Sequence, residues 1–440
     1  MSIRELLDIY LDAVRNVPND TAAVSTDTRS LKPGQIYFAL KGENFDGDDF
    51  AEDAIEKGAL YAVVNDYTPY EGPKYIRVKD TLKTLQLLAK EYASYRYTDV
   101  LNSRFKGVIA VTGTNGKTTT KELLRTALEN SFHVLATEGN LNNDIGVPLT
   151  LLRISEGVDY AIVEMGASHP DDLKPLLDMA NPKYGVITNV GRAHLQGFGS
   201  FEGVKYAKGQ LYDYLARSGG TAFVNWDDPV LREMAEERDG LHILRYGLET
   251  EGYSVLPKGK DNPCLGIDIG NYKIHTHLIG DYNASNVLCA LRVARFLGAD
   301  DSDSIPEIEA YVPSNSRSQF EKKGSNLLIM DCYNANPSSM TVAIENLRTM
   351  EHPRKVLMLG EMRELGPDSV SLHAEILEKV RSLRPDKVLL VGEQWRKAGA
   401  EAFSTSYELA AYLKDNPVSD SLILIKGSRG TRMEKVTDSL

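Results

Sequence analysis

A lysine and a threonine follow two glycines in Gly113-Thr-Asn-Gly116-Lys117-Thr118, and this group is able to handle phosphate. The glycines let the backbone turn its N–H groups toward phosphate oxygens. The ammonium of Lys117 would reach the outer phosphates, and the Thr118 hydroxyl suits Mg²⁺. The usual G-x-x-x-x-G-K-[ST] spacing would put glycine at 111, where this chain has Val111. A Gly-rich turn ahead of an ordinary helix is therefore the competing reading. The motif points to a nucleoside triphosphate and leaves the reaction open.

Further polar residues stand at the ends of apolar runs, where open α/β sheets bind ligands. Glu164 closes Ala161-Ile-Val-Glu-Met-Gly166 and is either a solvated loop acid or a ligand for a hard cation. His194 ends Thr188-Asn-Val-Gly-Arg-Ala-His194; a lone histidine of this kind is a structural residue by default. Asn140, Asn142 and Asn143 crowd one segment, which commonly marks a turn. Asp331-Cys-Tyr-Asn-Ala-Asn-Pro337 opens a helix at Pro337, with Asn336 as its N-cap. Lys426-Gly-Ser-Arg429 reads as a second anion nest or an ordinary turn.

The elements that must position these groups recur in three blocks. Gly107 to Val111 reads as a strand and 121–128 as a helix, so the glycine motif has the strand–turn–helix setting of a phosphate site. Around it, 159–164, 184–188, 221–225 and 242–246 read as strands with helices such as 173–179 between most of them, which predicts a parallel doubly wound sheet. A hairpin over 265–278 and a long helix over 283–297 follow. Before this block, 22–29, 35–40 and 60–64 read as strands. There, 50–58 and 84–95 read as helices, and 97–103 as a polar linker. After it, 326–331, 355–360, 387–392 and 422–426 alternate with helices as a further α/β unit. The expected fold is α/β in three domains, 1–103, 104–312 and 313–440: a small N-terminal unit, a central mostly parallel sheet of P-loop type, and a Rossmann-like C-terminal unit.

The 440 residues suffice for two to four cores. A net charge of −12 argues against a nucleic-acid partner, which would need a basic face. Cys264, Cys289 and Cys332 are too far apart for a disulfide framework or a zinc site and read as reduced, buried thiols. The N-terminus reads as an amphipathic helix rather than a signal peptide, and no apolar run approaches the roughly 20 residues of a membrane span. A cytoplasmic location without membrane insertion is expected.

Taken together, Thr112 to Thr119, Glu164-Met-Gly-Ala167, Asn189 to His194 and Phe198-Gly-Ser to Ala207-Lys208 resemble the Mur ligases, the ATP-dependent amide-forming enzymes of peptidoglycan precursor synthesis. Gly139 to Pro148, Asp331 to Met340, Leu359 to Gly366 and Lys426 to Arg429 look like the family member that joins D-alanyl-D-alanine to UDP-N-acetylmuramoyl-tripeptide. Tyr333-Asn-Ala-Asn-Pro337 is the most specific of these segments.

The resemblance implies that the first domain binds the UDP-muramyl substrate, the second ATP, and the third the incoming amine and part of the nucleotide. It implies nucleotide contacts from Gly113 to Thr119, with Lys117 on the β/γ-phosphates. Arg317 would come near the γ-phosphate, Asp331 and Tyr333 near the ribose side, and Asn283 and Asn286 near the adenine. Two Mg²⁺ ions would use Thr118, Glu164, His194 and Lys208, the last carrying a CO₂-derived carbamate. Thr26, Asp27, Arg29, Lys41 and Gly42 would hold the uridine nucleotide. Asn140, Asn142, Asn143, Asn334, Asn336, Ser428 and Arg429 would hold the remaining substrate groups, and a monomer is expected.

Four positions depart from the family pattern: Asp48 and Tyr282 stand where histidine is usual, Ser316 where glycine is, and Gln210 where glutamate is. A folylpolyglutamate synthase-like ligase or a non-catalytic nucleotide-binding scaffold are the alternatives. Retention of Lys117, Thr118, Glu164, His194 and Lys208 together speaks against the scaffold.

Overall fold

The computed structural model describes residues 1–17, 22–99, 104–258, 263–313 and 319–440. At its centre lies a six-stranded, all-parallel sheet in the order His242–Tyr246, Thr221–Asn225, Tyr184–Ile187, Gly107–Thr112, Tyr160–Glu164, Val134–Ala136. Gly107–Thr112 is buried at every residue and lies between two neighbours. Such a strand reads as an unbroken apolar run because both its faces are covered by helices. The chain continues to one side of this strand and then to the other, so its carboxyl end is a topological switch point, where a ligand crevice forms.

Two smaller parallel sheets flank the central one. Val24–Ser25, Ile36–Phe38, Tyr61–Asn65 and Tyr75–Val78 form a four-stranded parallel sheet. Asn326–Asp331, Leu422–Lys426, Lys355–Gly360 and Lys387–Val391 are parallel, and Gln319–Lys323 adds an antiparallel edge. A three-stranded antiparallel sheet contains the expected hairpin, Cys264–Asp268 with Lys273–Ile279.

Strands Tyr75–Val78 and Val134–Ala136 lie outside the sequence reading, and three further elements differ from it. Of 22–29 only Val24–Ser25 is strand, because the Asp27 side chain accepts from the Arg29 N–H at 2.9 Å and turns the chain away. The expected linker at Tyr97 is still helix, Thr81–Thr98. There the Tyr97 hydroxyl donates to the Asn181 carbonyl and accepts from the Val108 N–H, both at 2.9 Å, so the helix is held onto the central sheet. The antiparallel edge 319–323 has too little apolar periodicity to be read in advance, since its strand residues are half-buried or exposed.

The first and central sheets share one core. The N-terminal helix Ile3–Asn16 and the Thr81–Thr98 helix bury Leu6, Tyr10, Leu85, Leu88 and Tyr92 against Val147, Leu151 and Leu173. The hydroxyls of Tyr10 and Tyr92 donate to the carbonyls of Leu152 and Ile154. Burying the two rings here therefore leaves no hydroxyl without a partner. No helix is long and apolar enough to cross a membrane among the described residues.

Candidate active site

Gly113 and Gly116 carry φ of 141° and 79°, left-handed values that glycine adopts without steric penalty. A Cβ on Gly113 would come within 2.0 Å of the Thr188 Oγ1, so glycine is also needed for space. Asn189 frames the loop: its Oδ1 accepts from the Asn115 N–H at 3.0 Å and its amide donates to the Asn115 carbonyl at 2.9 Å. The Lys117–Leu128 helix starts directly after Gly116 and points its amide-rich end at the turn. With the strand already extended to Thr112, Val111 belongs to the buried ladder and the glycine turn is correspondingly short.

The predicted groups converge on a cleft of about 1150 Å³ at this edge. Thr114, Asn115, Gly116, Lys117, Thr119, Asn142, Asn143, Glu164, His194, Asn283, Asn286, Asp331, Tyr333 and Asn334 all line it. Lys117 folds back, its Nζ 2.9 Å from the Gly113 carbonyl and 3.2 Å from that of Thr114. Thr118 Oγ1 donates to Glu164 Oε2 at 2.8 Å, and Asn142 Nδ2 donates to Glu164 Oε1 at 2.8 Å. This pair of hard oxygens beside a phosphate loop fits Mg²⁺. No cluster of three or more His, Cys, Asp or Glu that could hold a metal occurs among the described residues. Any ion here would therefore draw most of its ligands from phosphate and water, as Mg²⁺ in nucleotide sites does.

Lys208 sits on the Phe201–Ser218 helix, 2% exposed, with Nζ 3.4 Å from the Ala167 carbonyl and 5.6 Å above the Phe198 ring. Burial first, and the nearby Lys117 charge second, hold its pKa well below the ordinary lysine value. His194 lies at the start of the Leu195–Phe198 turn with φ +50°. Its Nδ1 pairs with Glu364 Oε2 from the loop after Lys355–Gly360. That imidazole holds the Glu364 carboxyl below its ordinary value.

Asn286 and Asn283 brace the loop from behind. Thr120 Oγ1 donates to Asn286 Oδ1 at 3.1 Å, and Asn286 Nδ2 donates to Asn283 Oδ1 at 2.8 Å. Asp331 faces the cleft paired with buried Lys426 at 2.5 Å, and Lys426 also donates to the Asn334 carbonyl at 3.1 Å. Asn336 is the N-cap of Pro337–Thr349, as expected, with a capping box through Ser339. Its Nδ2 additionally donates to Asn115 Oδ1 at 2.8 Å, which ties the C-terminal unit to the phosphate loop.

Other predicted residues stand apart from the cleft wall. Ser428 is buried; its Oγ accepts from the Arg363 N–H at 3.0 Å and lies 3.4 Å from the Ala335 carbonyl. Arg429 is exposed, its guanidinium 5.4 Å from the Tyr333 ring centre. Asn140 is exposed, while Asn143, which does line the cleft, has its Oδ1 accepting from the Ile145 and Gly146 N–H groups, the turn role that its composition suggested. Thr26, Asp27 and Arg29 follow the first strand, and Lys41 and Gly42 follow the second, in the loops after their carboxyl ends. Asp27 is bound to Arg29 and held down to a pKa of about 2, and Lys41 pairs with Asp46 at 3.1 Å. Asp48 accepts from the Asn65 N–H and Nδ2, so it braces this edge. Arg317 lies outside the described residues. Asn189 was missed as a site residue; its place directly after a strand, one position past Thr188, was the available signal.

Residues 111–294 match the Mur ligase middle domain, 316–429 the Mur ligase glutamate ligase domain, and 21–93 the catalytic domain of the Mur ligase family. The chain is 32% identical to the UDP-N-acetylmuramoyl-tripeptide–D-alanyl-D-alanine ligase of Bacillus subtilis, over 95% of this chain and 92% of that protein. The structure of MurF from Acinetobacter baumannii superposes with a TM-score of 0.84 at 29% identity, covering 99% of this chain and 98% of that one. MurF ligase from Thermotoga maritima in complex with ADP gives a TM-score of 0.81 at 27% identity, covering 94% and 96%. With three family models spread along it and this identity sustained nearly end to end, the chain belongs to the Mur ligase family.

Proposed function

We infer that this chain is an ATP-driven amide ligase of peptidoglycan precursor synthesis that joins D-alanyl-D-alanine to UDP-N-acetylmuramoyl-tripeptide, giving the pentapeptide. The observation that carries this is the convergence of Lys117, Glu164, His194 and the 331–336 loop on one cleft, with Lys208 buried behind it.

The carboxylate of the third peptide residue attacks the γ-phosphorus of ATP, and ADP leaves. The amine of D-alanyl-D-alanine then attacks the resulting acyl phosphate, and phosphate leaves. Mg²⁺ bound with the nucleotide neutralises charge developing on the phosphates. Lys117 exchanges its contacts to the Gly113 and Thr114 carbonyls for phosphate oxygens. Thr118 and Glu164 would hold one ion, and His194 and Lys208 would serve a second. Lys208, whose charge is disfavoured by burial, is suited in its neutral form to add to the carbon of CO₂ with loss of a proton. The added group turns a buried cation into an anionic oxygen donor. Asp331 and Tyr333 would hold the ribose side and Asn283 and Asn286 would lie toward the base, while Arg317 would approach the γ-phosphate. Residues 1–103 would hold the UDP-muramyl end, 104–312 ATP, and 313–440 the dipeptide. Because Asn115 and Asn336 already bridge two of these units, their closure would exclude water from the acyl phosphate. A monomer would suffice for this arrangement. The nucleotide precursors and reduced thiols support a cytoplasmic location.

Phosphate release from ATP, measured with UDP-muramyl-tripeptides containing lysine or diaminopimelate, tests the reading. It should require both the tripeptide and D-alanyl-D-alanine and be matched by pentapeptide formed. Release without the dipeptide would point instead to an ATPase, and none with either tripeptide to a scaffold or another ligase substrate.

A further inference from the structure

Glu364 has φ +62° and faces His194, which has φ +50°, across the boundary between the C-terminal and central sheets. Glycine would adopt either conformation more readily, and at 364 it would remove the carboxylate that meets Nδ1 of His194. The loop presenting Glu364 is held on three sides. The Glu361 N–H donates to the Val391 carbonyl at 2.8 Å, the Met362 N–H to Nε2 of His373 at 3.0 Å, and the Arg363 N–H to Ser428 Oγ at 3.0 Å. His373 is itself fully buried, with Nδ1 2.6 Å from the Ser369 carbonyl. On the other side of the boundary, the Gln196 N–H donates to the Glu364 carbonyl at 3.3 Å and the Arg192 N–H to Ser338 Oγ at 2.9 Å. Glu364 thus extends from a braced backbone, and its largely exposed side chain meets His194 where the two units touch.

We propose that Glu364 is a positioning residue for the ligation: docking of the C-terminal unit places its carboxylate on Nδ1 of His194, which fixes the imidazole so that Nε2 is left for the metal-bearing side of the cleft. A carboxylate on the distal nitrogen fixes the tautomer and orientation of a metal-binding histidine, and losing such a partner typically weakens affinity or activity about 10–100-fold. Through this contact the segment Leu359 to Gly366 couples closure of the C-terminal unit to the metal side of the cleft. Ser428 and His373 act through it by holding the loop.

The inference rests on His194 being a metal contact of the ligase site, and its test separates the two. Glu364→Gly relaxes the backbone at 364 while removing the carboxylate, and Glu364→Gln keeps an oxygen able to accept from Nδ1–H. Mn²⁺ binding, followed by electron paramagnetic resonance with a non-hydrolysable ATP analogue, is read beside kcat and KM. Glu364→Gly should melt no lower than wild type, bind Mn²⁺ roughly 10-fold more weakly and lose about 10–100-fold in kcat, with KM for ATP changed less. Glu364→Gln should recover most of both losses. Wild-type Mn²⁺ binding and kcat in Glu364→Gly would overturn the proposal. So would tighter binding and faster turnover, which would make Glu364 a competitor for His194. Mn²⁺ binding that is unchanged in His194→Ala would instead sink the metal role of His194 itself.

Discussion

Lys208 shows how its place in the fold changes the proton affinity of a side chain of ordinary type. An exposed lysine is a cation at neutral pH, but desolvation on the Phe201–Ser218 helix disfavours the charge. The folded-state pKa lies below the unfolded value near 10.5, so between the two the unfolded chain binds more protons. Stability therefore rises with pH through that window. Lys208→Met should melt higher than wild type by roughly a few degrees at neutral pH in CO₂-free buffer. The difference should be largest at low pH and vanish near pH 10.5; a pH-independent difference in calorimetry would argue against this origin. The same variant should bind ATP yet turn over at background rate, and near-normal turnover would remove Lys208 from the mechanism.

At the scale of elements, the Pro337–Thr349 helix joins local and long-range roles in one residue. Asn336 caps it and also donates to Asn115 in the phosphate loop. Asn336→Ser keeps a capping hydroxyl but is too short to bridge. Its stability should stay within about 0.5 kcal/mol of wild type while kcat falls, whereas Asn336→Ala should also lose about 1 kcal/mol of helix stability. Equal kcat in Asn336→Ser and wild type, measured by phosphate release, would confine the residue to capping. The cap was legible from Asn-Pro order alone, because capping is a local preference. The bridge was not, because its two ends are 221 positions apart.

In the whole molecule, the first and central sheets share a core, and Tyr92 closes it with a hydroxyl on the Ile154 carbonyl at 2.5 Å. Tyr92→Phe leaves that buried carbonyl without its partner, at about 1–3 kcal/mol. Since the shared core couples both units, a shift of the whole unfolding transition is expected in denaturant melts. A separate early transition of the first unit would contradict this coupling. The C-terminal unit is attached differently, through polar contacts such as Asn115–Asn336 and Arg192–Ser338 at the cleft and a smaller apolar contact in which Ile279 and Leu195 meet its core. A small, mixed seam of this kind is compatible with a unit that docks and releases.

The order of apolar runs and the glycine turn at 113–116 were enough to determine the alternation of strands and helices, the parallel central sheet and the strand–turn–helix setting of that turn, because those follow from short-range periodicity and backbone sterics. The motif spacing was also enough to mark Glu164 and Asp331 as strand-end residues and His194 as a residue of the loop after a strand. What those residues touch was decided only by the tertiary structure. Asn142 grips Glu164, Lys426 pairs with Asp331, Ser428 braces the loop of Glu364, and Glu364 reaches His194. Each of these contacts joins positions at least 22 apart, brought together by sheet order and domain docking, and no local pattern of residues encodes such a meeting.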